Sequence, residues 1–281
     1  MSPNVKLIVE IGINHMGDFD LMAKMMSVAH SLGVQYIKGQ KREPRVCLTE
    51  EQYNRPYDGP QSFGKTYGEH KEALEFDVDQ WRKLFNIAGH HNYCLFSSVF
   101  DVVSANNMNN LGQKIFKIGS AEVSKLELLE LVATFNKPVI MSTGMHNIDE
   151  IDRAVDILQP KVPELILMHT TSCYPCHDKD LNLRIIPELK KRYGTEVGFS
   201  GHHKSGNGAI EAAAIALGAT WIERHFTLDR TWKGSDQAAS LEPVGLINVI
   251  KAIESTTLAL GSNKKEIQKC ELPVRKKLLC S

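Results

Sequence analysis

The stretch "GTEVGFSGHHKSGNGAIEAAAIALGATWIERHFTLDR", residues 194–230, decides how the fold is read. It contains two short apolar runs, 196–202 and 221–227, separated by the helical pattern "AIEAAAIALG". The first run ends on Ser200, His202 and His203, and the second on Glu223, Arg224 and His225. Strand, helix and strand in that order make one βαβ unit, with imidazoles at the tips of both strands.

Working outward, the same alternation of β-branched run, polar tip and amphipathic stretch fills the chain. Six further runs read as strands: 6–14, 36–40, 93–100, 115–120, 138–144 and 165–172. Helical signals occupy the gaps. Asp20 precedes Leu21, Met25, Val28 and Leu32 at helical spacing, and Gly33 stands where a terminating glycine belongs. Ser124 with Glu127, and Asn147 with Glu150, read as capping boxes. Pro187 suits a first helical turn that Gly194 later closes. Eight such units in about 260 residues predict an α/β chain folded as a (β/α)8 TIM barrel. A doubly wound open sheet shows the same alternation, but its glycine-rich fingerprint is absent after the first strand, where "EIGINHMG" stands.

The barrel is expected over residues 1–260, with a long insertion at 41–77 between its second strand and second helix. Loops of that length are usually functional or disordered. Residues 261–281 read as a C-terminal tail, too short for another domain.

Of the 281 residues, 42% are apolar and 23% charged, a mixture that suits a globular chain. Lys and Arg number 33, as do Asp and Glu, so no field of one sign points to nucleic acid or an anionic membrane. No apolar run approaches the roughly 20 residues of a spanning helix. The N-terminus "MSPNVKLIVEIG" lacks a signal-peptide pattern. Six cysteines in so long a chain do not build a disulfide framework. The expectation is a cytoplasmic protein with reduced thiols.

Barrel active sites lie at the C-terminal ends of the strands. Taken in order, the tips offer Glu10; Lys38 and Gln40; Ser97 and Ser98; Lys117, Ser120 and Glu122; then Ser142. The later tips offer His169, Thr171, Ser172 and Tyr174; Ser200 and His202; and His225, followed by Asp236. Two lysines facing one barrel mouth are costly to bury unpaired and call for an anion. Ser120, Ser142 and Ser200 can donate to phosphate or carboxylate oxygens. The competing reading pairs each lysine with Glu10 or Glu122 as a core salt bridge. His202 and His225 stand on neighbouring strands and can converge on one metal ion with open positions. His203, alternating with His202, is expected to point away. "CYPC", 173–176, has no second CxxC and opens no thioredoxin-like unit, so it reads as structural.

These tips sit in longer motifs: "VEIGINHMGD", "IKGQKR", "TYGEHKEALEF", "FKIGSAE", "IMSTGM", "HTTSCYPC", "GFSGHH", "ERHFTLDR" and "GSDQAASLEP". In order and spacing the chain resembles the sialic acid synthase (N-acetylneuraminate synthase) family over essentially its whole length. The resemblance implies a barrel that condenses phosphoenolpyruvate with an N-acylated hexose, usually N-acetylmannosamine, and releases phosphate. It implies that Lys38, Lys117, Ser120, Ser142 and Ser200, with Ser98 in support, hold phosphoenolpyruvate. Gln40, Glu122, Tyr174 and Asp236 would contact the sugar, and Glu10 would act on the attacking water. His202 and His225 would bind a divalent ion, typically Mn2+, with Mg2+ or Co2+ as alternatives.

The chain also departs from the family's pattern. "KGQ" stands where "KFQ" is usual, so Gly39 removes an aromatic group that was expected on the sugar side. Ser172 stands for asparagine, and "GSDQ" for "GPDH". The sequence ends at Ser281, so the family's C-terminal antifreeze-like arm is expected to be absent, with a homodimer or a separately encoded partner in its place. Two alternatives stay open at this point. One is a synthase for another aldose or a sugar phosphate, which basic groups such as Lys41, Arg42 or Arg45 at the mouth would favour. The other is a truncated barrel that binds without turnover.

Overall fold

A computed structural model describes residues 5–279; residues 1–4 and 280–281, at the ends of the expected barrel and tail, lie outside the described residues. Eight strands form the barrel: β1 (Lys6–Gly12), β2 (Tyr36–Lys41), β3 (Cys94–Val99), β4 (Phe116–Ile118), β5 (Val139–Ser142), β6 (Leu165–Thr170), β7 (Glu196–Gly201) and β8 (Trp221–His225). They follow one another around a closed ring. Every neighbouring pair is parallel, including the β1–β8 pair that closes it. The expected (β/α)8 barrel is the fold observed. Seven strands are shorter than their apolar runs, each losing residues at its C-terminal end, while β2 runs one residue past its own, to Lys41.

Alternation along each strand divides the side chains between two environments. Outward residues pack with the helices in the main core. Inward residues fill the barrel, where Ile8, Phe96, Ile140, Ile166, Met168 and Trp221 form a separate apolar floor. Above that floor the inward positions turn polar, which confines the chemistry to one end.

Several local expectations are corrected. Asp18, not Asp20, caps the helix Phe19–Ser31 and accepts the Leu21 N–H; Asp20 lies inside its first turn. Ser124 caps nothing, because the helix Leu126–Ala133 starts one residue later from Lys125 without a side-chain cap. The capping box of Asn147 with Glu150 is present, and Gly194 ends the helix Ile185–Tyr193 in the left-handed conformation. The insertion is ordered into three short helices, Pro44–Cys47, Glu50–Asn54 and Tyr67–Glu72. Thr49 with Gln52 and Thr66 with Glu69 form capping boxes that hold two of these helices.

Gly39 does not face the sugar side. Lys38 and Gln40 point inward, so Gly39 points outward, where a Cβ would stand 3.0 Å from Trp81 Cη2 and 3.3 Å from Met22 Cε. Trp81, buried in the helical layer, takes the volume an aromatic residue on β2 would need. The departure from "KFQ" is therefore a packing exchange.

One helix among the described residues, Pro243–Leu260, is long and apolar enough by length and composition to cross a membrane, which qualifies the reading from the sequence. It is the eighth helix of the barrel and buries Leu246, Val249 and Ile253. The tail beyond it is exposed and carries a short helix, Leu272–Leu278.

Candidate active site

Above the apolar floor four buried charges form a compact cluster. Lys38 Nζ lies 2.9 Å from Glu10 Oε2 and 3.5 Å from Glu223 Oε1. Lys117 Nζ lies 3.9 Å from Glu223 Oε2. Lys38 also donates to Ser98 Oγ at 2.9 Å, and Lys117 to Ser142 Oγ at 2.6 Å. Strand register makes this possible, since Glu10 pairs with Lys38 on one side and with His225 on the other.

Glu223 is the member that reading strand ends alone passed over. Its signal was present: it stands two residues before His225 on the same strand and so shares its inward face. Burial opposes its charge, but Lys117 and Lys38 hold the carboxyl down at about 2. Burial also lowers Lys117, which Glu223 only partly offsets, leaving it at about 8. For Lys38, Glu10 and Glu223 overcome burial and raise the ammonium above its ordinary value. The salt-bridge alternative is thus partly realised for Lys38, through Glu10, while Glu122 pairs with Lys125 at 3.6 Å. Two lysines and two carboxylates cancel, so an anion entering here gains most from hydroxyl donors and from any added cation.

The structure brings Glu10, Lys38, Gln40, Ser98, Lys117, Ser120, Glu122, Ser142, Tyr174, Ser200, His202 and His225 around one cavity of about 270 Å³. Asp236 joins them from the loop after β8, its Oδ2 3.6 Å from His225 Nδ1. That loop is tied to the first strand's loop by Asn14, which donates to the Phe226 carbonyl at 2.9 Å and to Ser240 Oγ at 2.8 Å. At Gly12, with φ +58, a Cβ would meet Gln40 at 3.0 Å, Glu10 at 3.1 Å and Asp236 at 3.5 Å, so the bare backbone lets the three converge. Ser97 and His169 are not part of the site. Ser97 faces Gln113, and His169 faces the Leu181 carbonyl, both on the outer side of the sheet.

The two imidazoles meet with ring centroids 5.3 Å apart, and Tyr174 covers His202 at 4.0 Å. His202 Nδ1 is engaged with the Thr171 carbonyl at 3.0 Å, which leaves Nε2 with its lone pair. Burial, with His225 adding, lowers His202 to about 3, so it is a neutral ligand type. His225 Nδ1 is buried without a hydrogen-bond partner. The neutral His202 ring and the unpartnered nitrogen of His225 fit a divalent cation. Among the described residues no group of three or more His, Cys, Asp or Glu side chains could hold one, so an ion here would complete its shell from water and substrate.

Behind the imidazoles lies a second buried network. Arg224, inserted between Glu223 and His225, points outward and pairs with Glu211, neither side chain reaching solvent. It donates to the His203 carbonyl at 2.7 Å and to the Ser205 carbonyl at 3.2 Å. Its guanidinium is also 3.0 Å from His203 Nε2. His203 therefore faces away from the mouth, as its alternation with His202 requires.

A closed barrel with ionic and imidazole groups gathered at the C-terminal mouth defines a barrel enzyme. The chain belongs to the NeuB family, the sialic acid synthases, whose model matches residues 25–265. It is 38% identical over 273 residues to N-acetylneuraminate-9-phosphate synthase of Homo sapiens, covering 97% of this chain and 76% of that one. It is 35% identical over 269 residues to N,N'-diacetyllegionaminic acid synthase of Campylobacter jejuni, covering 94% of this chain and 80% of that one. The crystal structure of N-acetylneuraminic acid synthetase from Leptospira borgpetersenii, in complex with citrate, superposes with a TM-score of 0.83 at 32% identity, covering 99% of this chain and 93% of that one. The chain is an enzyme of the N-acetylneuraminate synthase type.

Proposed function

We propose that this enzyme condenses phosphoenolpyruvate with the open-chain aldehyde of an N-acyl hexosamine, N-acetylmannosamine or a relative, giving a nonulosonic acid and phosphate. One observation carries the reading: two lysines, a carboxylate beside them and an open pair of imidazoles share a single cavity.

The phosphate and carboxylate of phosphoenolpyruvate find donors in Lys38, Lys117, Ser98, Ser120, Ser142 and Ser200. Glu223 keeps both ammonium groups in place, so they need little reorganisation as charge develops. The enol C3 forms a bond to the sugar C1, leaving positive character at C2. Glu10 faces that carbon, stabilises the charge and takes a proton from the water that adds there. The aldehyde oxygen takes up the proton that Glu10 removed from water and becomes a hydroxyl. Collapse of the C2 adduct breaks its C–O bond to phosphate as the C2 hydroxyl becomes the ketone and passes its proton to the departing phosphate, whose charge Lys38 and Lys117 meet. His202 and His225 would hold a divalent ion, manganese by preference, which when bound supplies Lewis acidity toward the aldehyde oxygen. Gln40, Glu122, Tyr174 and Asp236 surround the sugar end. Holding two substrates in one enclosed mouth contributes up to about 7–11 kcal/mol in the most favourable intramolecular cases.

The cysteines among the described residues, Cys47, Cys94, Cys173, Cys176 and Cys270, are free thiols, which supports a reducing, cytoplasmic setting. The test is phosphate release from phosphoenolpyruvate across a panel of aldoses with manganese and a chelator control. Aldose-dependent release that the chelator abolishes is expected. Release from no aldose in the panel would end the reading.

A further inference from the structure

We infer that Cys173 and Cys176 form a reversible disulfide that moves the intervening Tyr174 off the His202 ring, a modification site through which peroxide turns the enzyme down. The disulfide is independent of the condensation proposed above; only its effect on turnover rests on that reading.

The sequence gives "CYPC" neither a second cysteine pair nor a thioredoxin-like unit, and the fold supplies its setting. Both thiols are free, Cys173 exposed and Cys176 buried. The Cys173 thiol donates to the Pro175 carbonyl at 3.4 Å, and the Cys176 thiol to the His177 carbonyl at 3.5 Å. The Pro175 carbonyl belongs to the peptide that leads into Cys176. The Cys173 sulfur therefore lies within about 6 Å of the Cys176 Cα by standard backbone dimensions. Burial raises the Cys176 thiol above its ordinary value, and Cys173 adds to the rise, as two neighbouring sulfurs require. Turning both side chains away from their carbonyls brings the sulfurs together.

The same segment holds His202. The Thr171 carbonyl accepts the Cys173 N–H at 2.9 Å and faces His202 Nδ1 at 3.0 Å. The Tyr174 ring lies 4.0 Å from the His202 ring and edge-on to His225 at 5.7 Å. The Cys176 N–H donates to the His202 carbonyl at 2.9 Å, and Cys176 is bridged to His203. A link between the two cysteines encloses only Tyr174 and Pro175. Cys176 is anchored on β7's end, so the adjustment falls on Cys173 and Tyr174. Tyr174 is 46% exposed, so little packing on its outer side opposes the movement.

Hydrogen peroxide is the oxidant. The exposed Cys173 sulfur attacks it and the O–O bond breaks, giving a sulfenic acid and one water. The Cys176 sulfur then attacks the Cys173 sulfur. The S–S bond forms, the S–O bond breaks, and the oxygen leaves as a second water with the remaining thiol proton. Two thiols thus lose two electrons and two protons to one peroxide. A dithiol reverses the step through the exposed Cys173 sulfur.

The test treats the reduced, full-length enzyme with hydrogen peroxide. Peptide mapping locates the link, NMR follows the His202 imidazole resonances, and manganese titration runs beside phosphate release. A Cys173–Cys176 link and a shifted His202 signal are expected. Rate and manganese affinity should fall roughly 10–100-fold, the scale on which contacts that orient a ligand act. Dithiothreitol should restore all of these. Cys173→Ser and Cys176→Ser should each keep the rate of the reduced enzyme and lose the response. Oxidation of Cys173 to a sulfinic acid without a link would overturn the inference. So would a link that leaves either the His202 signal or the rate of an active enzyme as it was, or serine variants that respond like the parent. If the link forms and moves the His202 signal in a protein that releases phosphate with no aldose, the disulfide inference stands and the condensation reading fails.

Discussion

Arg224 and Glu211 form an ion pair that solvent does not reach, directly behind the strand that carries Glu223 and His225. Because Arg224 also holds the His203 and Ser205 carbonyls, it joins the tips of β7 and β8 and sets the spacing of the imidazoles. Arg224→Met is expected to weaken manganese binding roughly 10–100-fold, as loss of a supporting contact does. It should also cost about 3–5 kcal/mol of stability, because Glu211 is left buried with only His203, at 3.4 Å, beside it. Arg224→Lys keeps the charge without the planar fork and should restore stability more than metal affinity. Calorimetric manganese titration beside thermal unfolding measures the two separately. Unchanged metal affinity in the methionine variant would assign Arg224 to folding only.

Glu10 and Glu223 both touch Lys38, and Glu10 is the one proposed to act on the water that adds to the substrate. In Glu10→Gln the lysine keeps Glu223 at 3.5 Å, so phosphoenolpyruvate binding should persist. Loss of the base should lower kcat by about 10²–10⁴-fold. Single-turnover kinetics with a parallel binding titration separates the two effects. A near-normal rate would remove Glu10 from its role.

Lys117 gives the site a pH signature. Burial brings its pKa in the free enzyme to about 8, so it is a cation below that pH and neutral above it. If Lys117 holds phosphoenolpyruvate as proposed, the affinity should fall as pH rises through 8, by up to about tenfold per unit. The sign for folding is opposite. An unfolded lysine keeps the ordinary 10.5, so between 8 and 10.5 the unfolded chain binds more protons and the stability of the free enzyme rises with pH. Lys117→Met should abolish both trends. Affinity that stays flat across pH 8 in the parent enzyme would assign the anion to other donors.

Gly39 and Trp81 should behave as a packing pair. With a Cβ 3.0 Å from the indole, Gly39→Ala is expected to cost about 1–3 kcal/mol by overpacking. Trp81→Phe in the same background should recover part of that loss, and denaturant unfolding of the two single variants and the double variant measures the coupling. The KM for phosphoenolpyruvate should not move, because Gly39 faces the helices. A changed KM with unchanged stability would put Gly39 back on the substrate side.

The sequence by itself determined the repeating strand–helix unit, the polar residues at each strand tip and which of them share an inward face. A period of two along a strand is local, so His202 could be set apart from His203 before any tertiary contact was known. Partners were another matter. Glu223 serves two lysines that lie far from it in sequence, and β8 reaches β1 only because the ring closes. The same holds for the outward turn of Gly39 toward Trp81, where the space left by one residue is filled from a helix far along the chain. Strand periodicity fixes the direction of a side chain, and closure of the barrel decides what it meets.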